Sequence, residues 1–130
     1  MNQYGGKLVG QGSFGCGYVP ALRCKGSKNQ RVNGHISKLL KNSSAESEVE
    51  ENRMIDSVDP QGLFHYKISK TCVPEVFDKD TDGDINDCEP VQGFFDDEYI
   101  DEIDLRNPDH KQLLQDNFTI IEYPDGGINL

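Results

Sequence analysis

Gly10, Gly12 and Gly15 form a G-x-G-x-x-G run, with Ser13 and Phe14 between the last two glycines. Lys38 follows 28 positions after Gly10, inside the apolar stretch Ile36-Ser37-Lys38-Leu39-Leu40. Glycines lack a Cβ, so a backbone built from them can approach phosphate oxygens and turn sharply. A lysine set among apolar neighbours needs an anionic partner, because an unpaired buried charge is expensive. The bland alternatives are a glycine-rich hairpin and a lysine whose head snorkels to water. Taken together, the glycines and the lysine point to a phosphate-bearing ligand. The same glycine spacing marks dinucleotide folds, where the third glycine opens a helix. Here Tyr18-Val19-Pro20 follows, which favours a strand instead.

A second constellation spans Asp78 to Glu89, D-K-D-T-D-G-D-I-N-D-C-E. Carboxylates at Asp78, Asp80 and Asp82, a glycine at Gly83, Asp84 after it and a closing Glu89 match the oxygen-ligand pattern of an EF-hand calcium loop. Pro74 limits an entering helix, while Pro90 and Gly93 follow directly after. No second loop is present to pair with it. The alternative is an acidic, solvated insertion.

Charge separates the chain into two parts. Met1 to Asn42 carries seven of the 13 basic residues and no acidic ones, while the remainder holds all 23 Asp and Glu. A basic section bearing a glycine loop suits a phosphate ligand. The acidic remainder argues against the chain lying along nucleic acid. No stretch is long and apolar enough for a membrane span, and Met1 to Gly6 lacks a signal-peptide pattern. The expected address is the cytoplasm. Cys16, Cys24, Cys72 and Cys88 show no C-x-x-C pair, so free thiols are expected there.

The elements that would position these residues can be traced along the chain. Tyr4–Val9 and Gly17–Arg23 read as strands around the glycine turn, and His35–Leu40 as a third strand. Ser43-Ser44-Ala45-Glu46 fits a capping box, starting a helix over Ala45–Val58 that Asp59-Pro60 ends. Helical spacing puts Glu48, Glu51, Ile55 and Val58 on one face. Phe64–Ser69 reads as a fourth strand and Phe118–Tyr123 as a buried fifth. Leu113-Leu114 reads as the close of a short helix. Residues 71–108 read as an acidic insertion with little regular structure.

Glycine loop, strand lysine, carboxylate helix and Ile121-Glu122-Tyr123 before Gly126-Gly127 together resemble a protein-kinase N-lobe. The wording G-Q-G-S-F-G-C, P-A-L-R-C-K and I-S-K-L-L is similar to the serine/threonine kinase-like proteins of large DNA viruses. The resemblance runs from Gly6 to Leu130 apart from the insertion. It implies an α+β fold with an antiparallel five-stranded sheet and one packed helix over residues 1–130, without a C-lobe. It also implies ATP as ligand and, for a viral chain, the host cytoplasm as address. Gly10, Gly12, Ser13, Phe14 and Gly15 would cover the phosphates. Lys38 would contact the α and β phosphates and pair with a helix glutamate. Glu51 is the expected partner, with Glu48 and Glu50 as alternatives. Ile121 would gate the back of the adenine pocket, and the Glu122–Tyr123 backbone would bind the adenine edge.

Two positions depart from the kinase pattern: Gly17 stands where valine is usual, and Ile36 where alanine is usual. Small for large on one side and large for small on the other would nearly conserve pocket volume. No H-R-D with a downstream Asn and no D-F-G is present, so a catalytic base and the magnesium ligands are missing. The expectation is a truncated or split kinase-like protein that does not transfer phosphate alone. A separate C-lobe or self-association would cover its apolar underside. The rival expectation is a non-catalytic module, pseudokinase-like or calcium-binding.

Overall fold

The computed structural model describes residues 7–11, 15–19, 22–26, 35–61, 67–75 and 88–124. Its strands are β1 (Lys7–Gln11), β2 (Gly15–Val19), β3 (His35–Lys41), β4 (Lys70–Cys72) and β5 (Phe118–Pro124). They form one antiparallel sheet in the order β1-β2-β3-β5-β4, which puts β3 at its centre. The helices are α1 (Asn42–Val58), α2 (Glu89–Asp97) and α3 (Pro108–Asn117). The fold is therefore α+β.

Alternation along the strands sends successive side chains to opposite faces. One face carries Cys16, Tyr18, Leu39, Phe118 and Ile120, buried beneath Val91 and Phe95 of α2 and Leu114 of α3. The other carries Leu40, Ile121 and Tyr123, which pack on Ala45 of α1. Lys38 stands on this second face, paired across the sheet with Gly17 and Ile121. The two faces thus divide the work: one is closed by α2 and α3, and the other holds the lysine and α1.

Several expectations need correction. The fourth described strand is Lys70–Cys72; of the expected Phe64–Ser69, Lys67–Ser69 lie outside any strand and Phe64–Tyr66 lie outside the described residues. The helix begins at Asn42 with Lys41 as N-cap and no capping side chain. β3 runs straight into α1, so Ser43 and Ser44 fall inside the first turn and cannot cap it. Asn42 instead donates to the Asp116 carbonyl at 2.7 Å and accepts from Thr119 Oγ1 at 2.7 Å. Ile55 and Val58 face solvent, 45% and 82% exposed, because Ala45 and Val49 set the buried stripe of α1.

The segment 71–108 holds more regular structure than its acidity suggested, since it contains α2 and the end of β4; α3 is the short helix expected around Leu113-Leu114, running on to Asn117. Val91 and Phe95, one turn apart, anchor α2 in the core. Pro90 sits in the first turn of α2, where its missing N–H has no partner to lose. The four cysteines are not free thiols. Cys16 is bonded to Cys88 and Cys24 to Cys72.

Candidate functional site

The lysine face is built from β2, β3, β5 and α1. Lys38 Nζ donates to Glu48 Oε2 at 2.9 Å, and the two side chains are 46% and 23% exposed. The Tyr123 hydroxyl donates to the same oxygen. Lys38 Nζ also lies 5.6 Å from the Tyr123 ring centroid, within cation–π range. Burial pushes the Tyr123 phenol above its ordinary range, and its hydrogen bond to Glu48 and the Glu48 charge add to the shift. A single carboxylate oxygen therefore holds a cation and a protonated phenol together.

Glu51, the expected partner of Lys38, is exposed and makes no part of this cluster. The expectation assumed that Ile55 faced the core. With Ala45 and Val49 facing the sheet instead, the helix presents Glu48 to Lys38. The ion pair bridges ten positions because no loop separates β3 from α1.

Gly10 lies in β1 opposite Gly17, beside an irregularity between Leu8 and Gly10. Gly12, Ser13 and Phe14 lie outside the described residues. Gly15 pairs with Leu40. A Cβ at Gly15 would stand 2.4 Å from the Leu39 carbonyl oxygen and 3.0 Å from the Leu40 side chain. Close strand packing thus requires this glycine whether or not a phosphate binds nearby. Gly17 and Ile36 are half-buried on the lysine face, as the volume-exchange idea needs.

Ile121 is fully buried between Lys38 of β3 and Thr71 of β4. Glu122 and Tyr123 do not offer the free backbone expected of them. Both are paired within the sheet, Glu122 with Ser37 and Lys70, and Tyr123 with Ile36. The Glu122 carbonyl accepts from Ser69 N at 2.7 Å. An adenine edge would have to meet the chain beyond Pro124, outside the described residues.

Asp78, Asp80, Asp82 and Asp84 also lie outside the described residues. Glu89 is exposed at the head of α2, so a helix does leave the acidic segment. The approach to it is a strand and a bridge at Pro74, which replaces the entering helix of an EF-hand. Among the described residues, no group of three or more His, Cys, Asp or Glu is arranged to hold a metal.

A groove of about 650 Å³ flanks α1 on its other side, lined by Asn42, Glu46, Val49, Arg53, Thr71 and Thr119 among others. It contains neither Lys38 nor Glu48. Among the described residues, no helix is long and apolar enough to cross a membrane. Comparison with family models, curated proteins and solved structures returned no match.

Proposed function

We propose that this chain is a nucleotide-binding half-site with the layout of a serine/threonine protein-kinase N-lobe. The observation that carries the reading is the Lys38–Glu48 pair at 2.9 Å on the central strand. Kinases need a strand lysine paired with a helix glutamate before phosphates can be positioned. A part-exposed pair of this kind stabilises a fold by only about 0–1 kcal/mol. Fold stability alone is a weak reason to keep a lysine there, whereas holding its ammonium ready for a phosphate is a sufficient one. The glycine hairpin beside it would supply backbone N–H groups, and Gly17 and Ile36 would line the base.

Without a catalytic base or magnesium ligands, the half-site would bind ATP and leave it intact. Transfer would need a C-lobe with the catalytic base and magnesium ligands that residues 1–130 lack. The partner surface would include Met54, Ile55 and Val58 of α1, all exposed. The proposed address is the cytoplasm, the host's for a virus-encoded chain. Disulfides form and persist mainly in oxidising compartments, so Cys16–Cys88 and Cys24–Cys72 weigh against that address. A calcium-binding module is the second reading, favoured by the helix that starts at Glu89.

Calorimetric titration separates the two readings. The nucleotide reading expects ATP to bind and Lys38→Ala to lose at least about tenfold, or 1.4 kcal/mol. Heat with calcium that disappears in Asp78→Ala, and none with ATP, would support the second reading and remove the first.

A further inference from the structure

The two disulfides occupy different environments. Cys16 and Cys88 are 2% and 0% exposed, packed with Tyr18, Leu39, Val91 and Phe95 beneath α2. A thiolate can reach neither sulfur unless α2 lifts from the sheet. Cys24 and Cys72 lie at the margin. Cys72 is half-buried on β4, the edge strand, where it packs against the rim of the same core, and Cys24, 6% exposed, sits in a single bridge to Pro74. Beside them, Lys25 N donates to the Val73 carbonyl at 2.7 Å and Glu75 N to the Arg23 carbonyl at 2.9 Å. These backbone bonds, and the Gln115 side chain on the Pro74 carbonyl at 3.0 Å, would keep the strands in register after the covalent link is cut.

We infer that Cys24–Cys72 is a reversible thiol–disulfide exchange site, while Cys16–Cys88 is a permanent staple of the core. Exchange rates depend on access of the attacking thiolate to a sulfur, and Cys72 is the one cysteine of the four that is not buried. The reductant is a low-molecular-weight thiol of the glutathione type. Its thiolate attacks the Cys72 sulfur, the Cys24–Cys72 bond breaks, and a mixed disulfide forms as Cys24 leaves and takes a proton. A second thiolate then displaces Cys72, giving two cysteine thiols and one molecule of oxidised reductant, with two electrons transferred. Glutathione disulfide reverses the sequence. Freeing Cys72 loosens β4, which is paired with β5 at Thr71–Ile121 and Lys70–Glu122. The redox state would thus be felt at the back of the lysine face. The assignment itself does not depend on nucleotide binding.

The test is quantitative maleimide labelling of the native chain followed by peptide mass mapping, with glutathione as the probe. Without reductant, no cysteine is expected to label even in denaturant. With increasing glutathione under native conditions, Cys24 and Cys72 should label together, and Cys16 and Cys88 only once denaturant is added. Circular dichroism should stay native at the two-thiol stage. Four labelled cysteines without reductant would overturn the inference. So would native release of Cys16 and Cys88 at or below the glutathione concentration that frees Cys24 and Cys72. A Cys24→Ser/Cys72→Ser double variant should release no thiol under native glutathione, and release from it would equally overturn the assignment.

Discussion

Glu48 Oε2 accepts from both Lys38 and Tyr123, so changes at either donor are felt at the other. Tyr123 ionises reluctantly because it is buried and faces a carboxylate. Its folded pKa lies above its unfolded value of 10.0. The folded state therefore holds a proton that the unfolded state releases as pH passes about 10. The contribution to stability is whole below that pH and is lost as pH rises further. Thermal melts should show a steeper alkaline decline in wild type than in Tyr123→Phe; equal slopes would show that the hydroxyl carries no such linkage. Gly15→Ala should cost about 1–3 kcal/mol, because the new Cβ meets the Leu39 carbonyl in a packed sheet. Denaturant unfolding measures it, and an unchanged midpoint would mean that the strand gives way freely. Gly17→Val tests the volume-exchange idea. It should not improve ATP binding, and much tighter binding would refute the compensation by Ile36.

Element by element, the legible parts are those whose signals are local. The glycine turn, the apolar run around Lys38 and the run Phe118–Tyr123 mark β1, β2, β3 and β5 to within a few residues at most ends. α1 is bounded correctly at Asp59, but its rotation was misread. Ile55 and Val58 read as core-facing in sequence, yet they point outward with Met54, while Asn52, Asp56 and Asp59 turn inward. That misreading made Glu51 the favoured partner over Glu48. β4 and α2 were hidden by acidity and by Pro90 and Gly93. The proline falls in the first turn of α2, and Gly93 has open space around it, so neither breaks the helix. An outward apolar edge on α1 predicts self-association of the isolated chain. Sedimentation velocity should show dimers or larger species, shifting to monomer in a Met54→Gln/Ile55→Glu/Val58→Lys variant. A wild-type monomer at the same concentration would contradict it.

At the scale of the molecule, the disulfides were illegible because their partners are 72 and 48 positions apart. Only the sheet register and the return of α2 over β2 bring them together. In the chain-entropy picture, loops of this size contribute about 4 kcal/mol each, though they overlap and do not simply add. Full reduction in denaturant followed by refolding with thiols blocked should lower the melting temperature by more than about 10 °C. A smaller shift would mean that the reduced chain is held by the core alone. The covalent staples leave one sheet face closed and the Lys38 face available, which is where the nucleotide reading stands or falls. Isothermal titration of ATP into the oxidised chain, its Lys38→Ala variant and its Glu51→Gln variant tests it most directly. Wild type and Glu51→Gln should bind alike, and Lys38→Ala at least about tenfold more weakly. No binding to folded wild type, or equal binding to Lys38→Ala, would contradict a nucleotide half-site at Lys38.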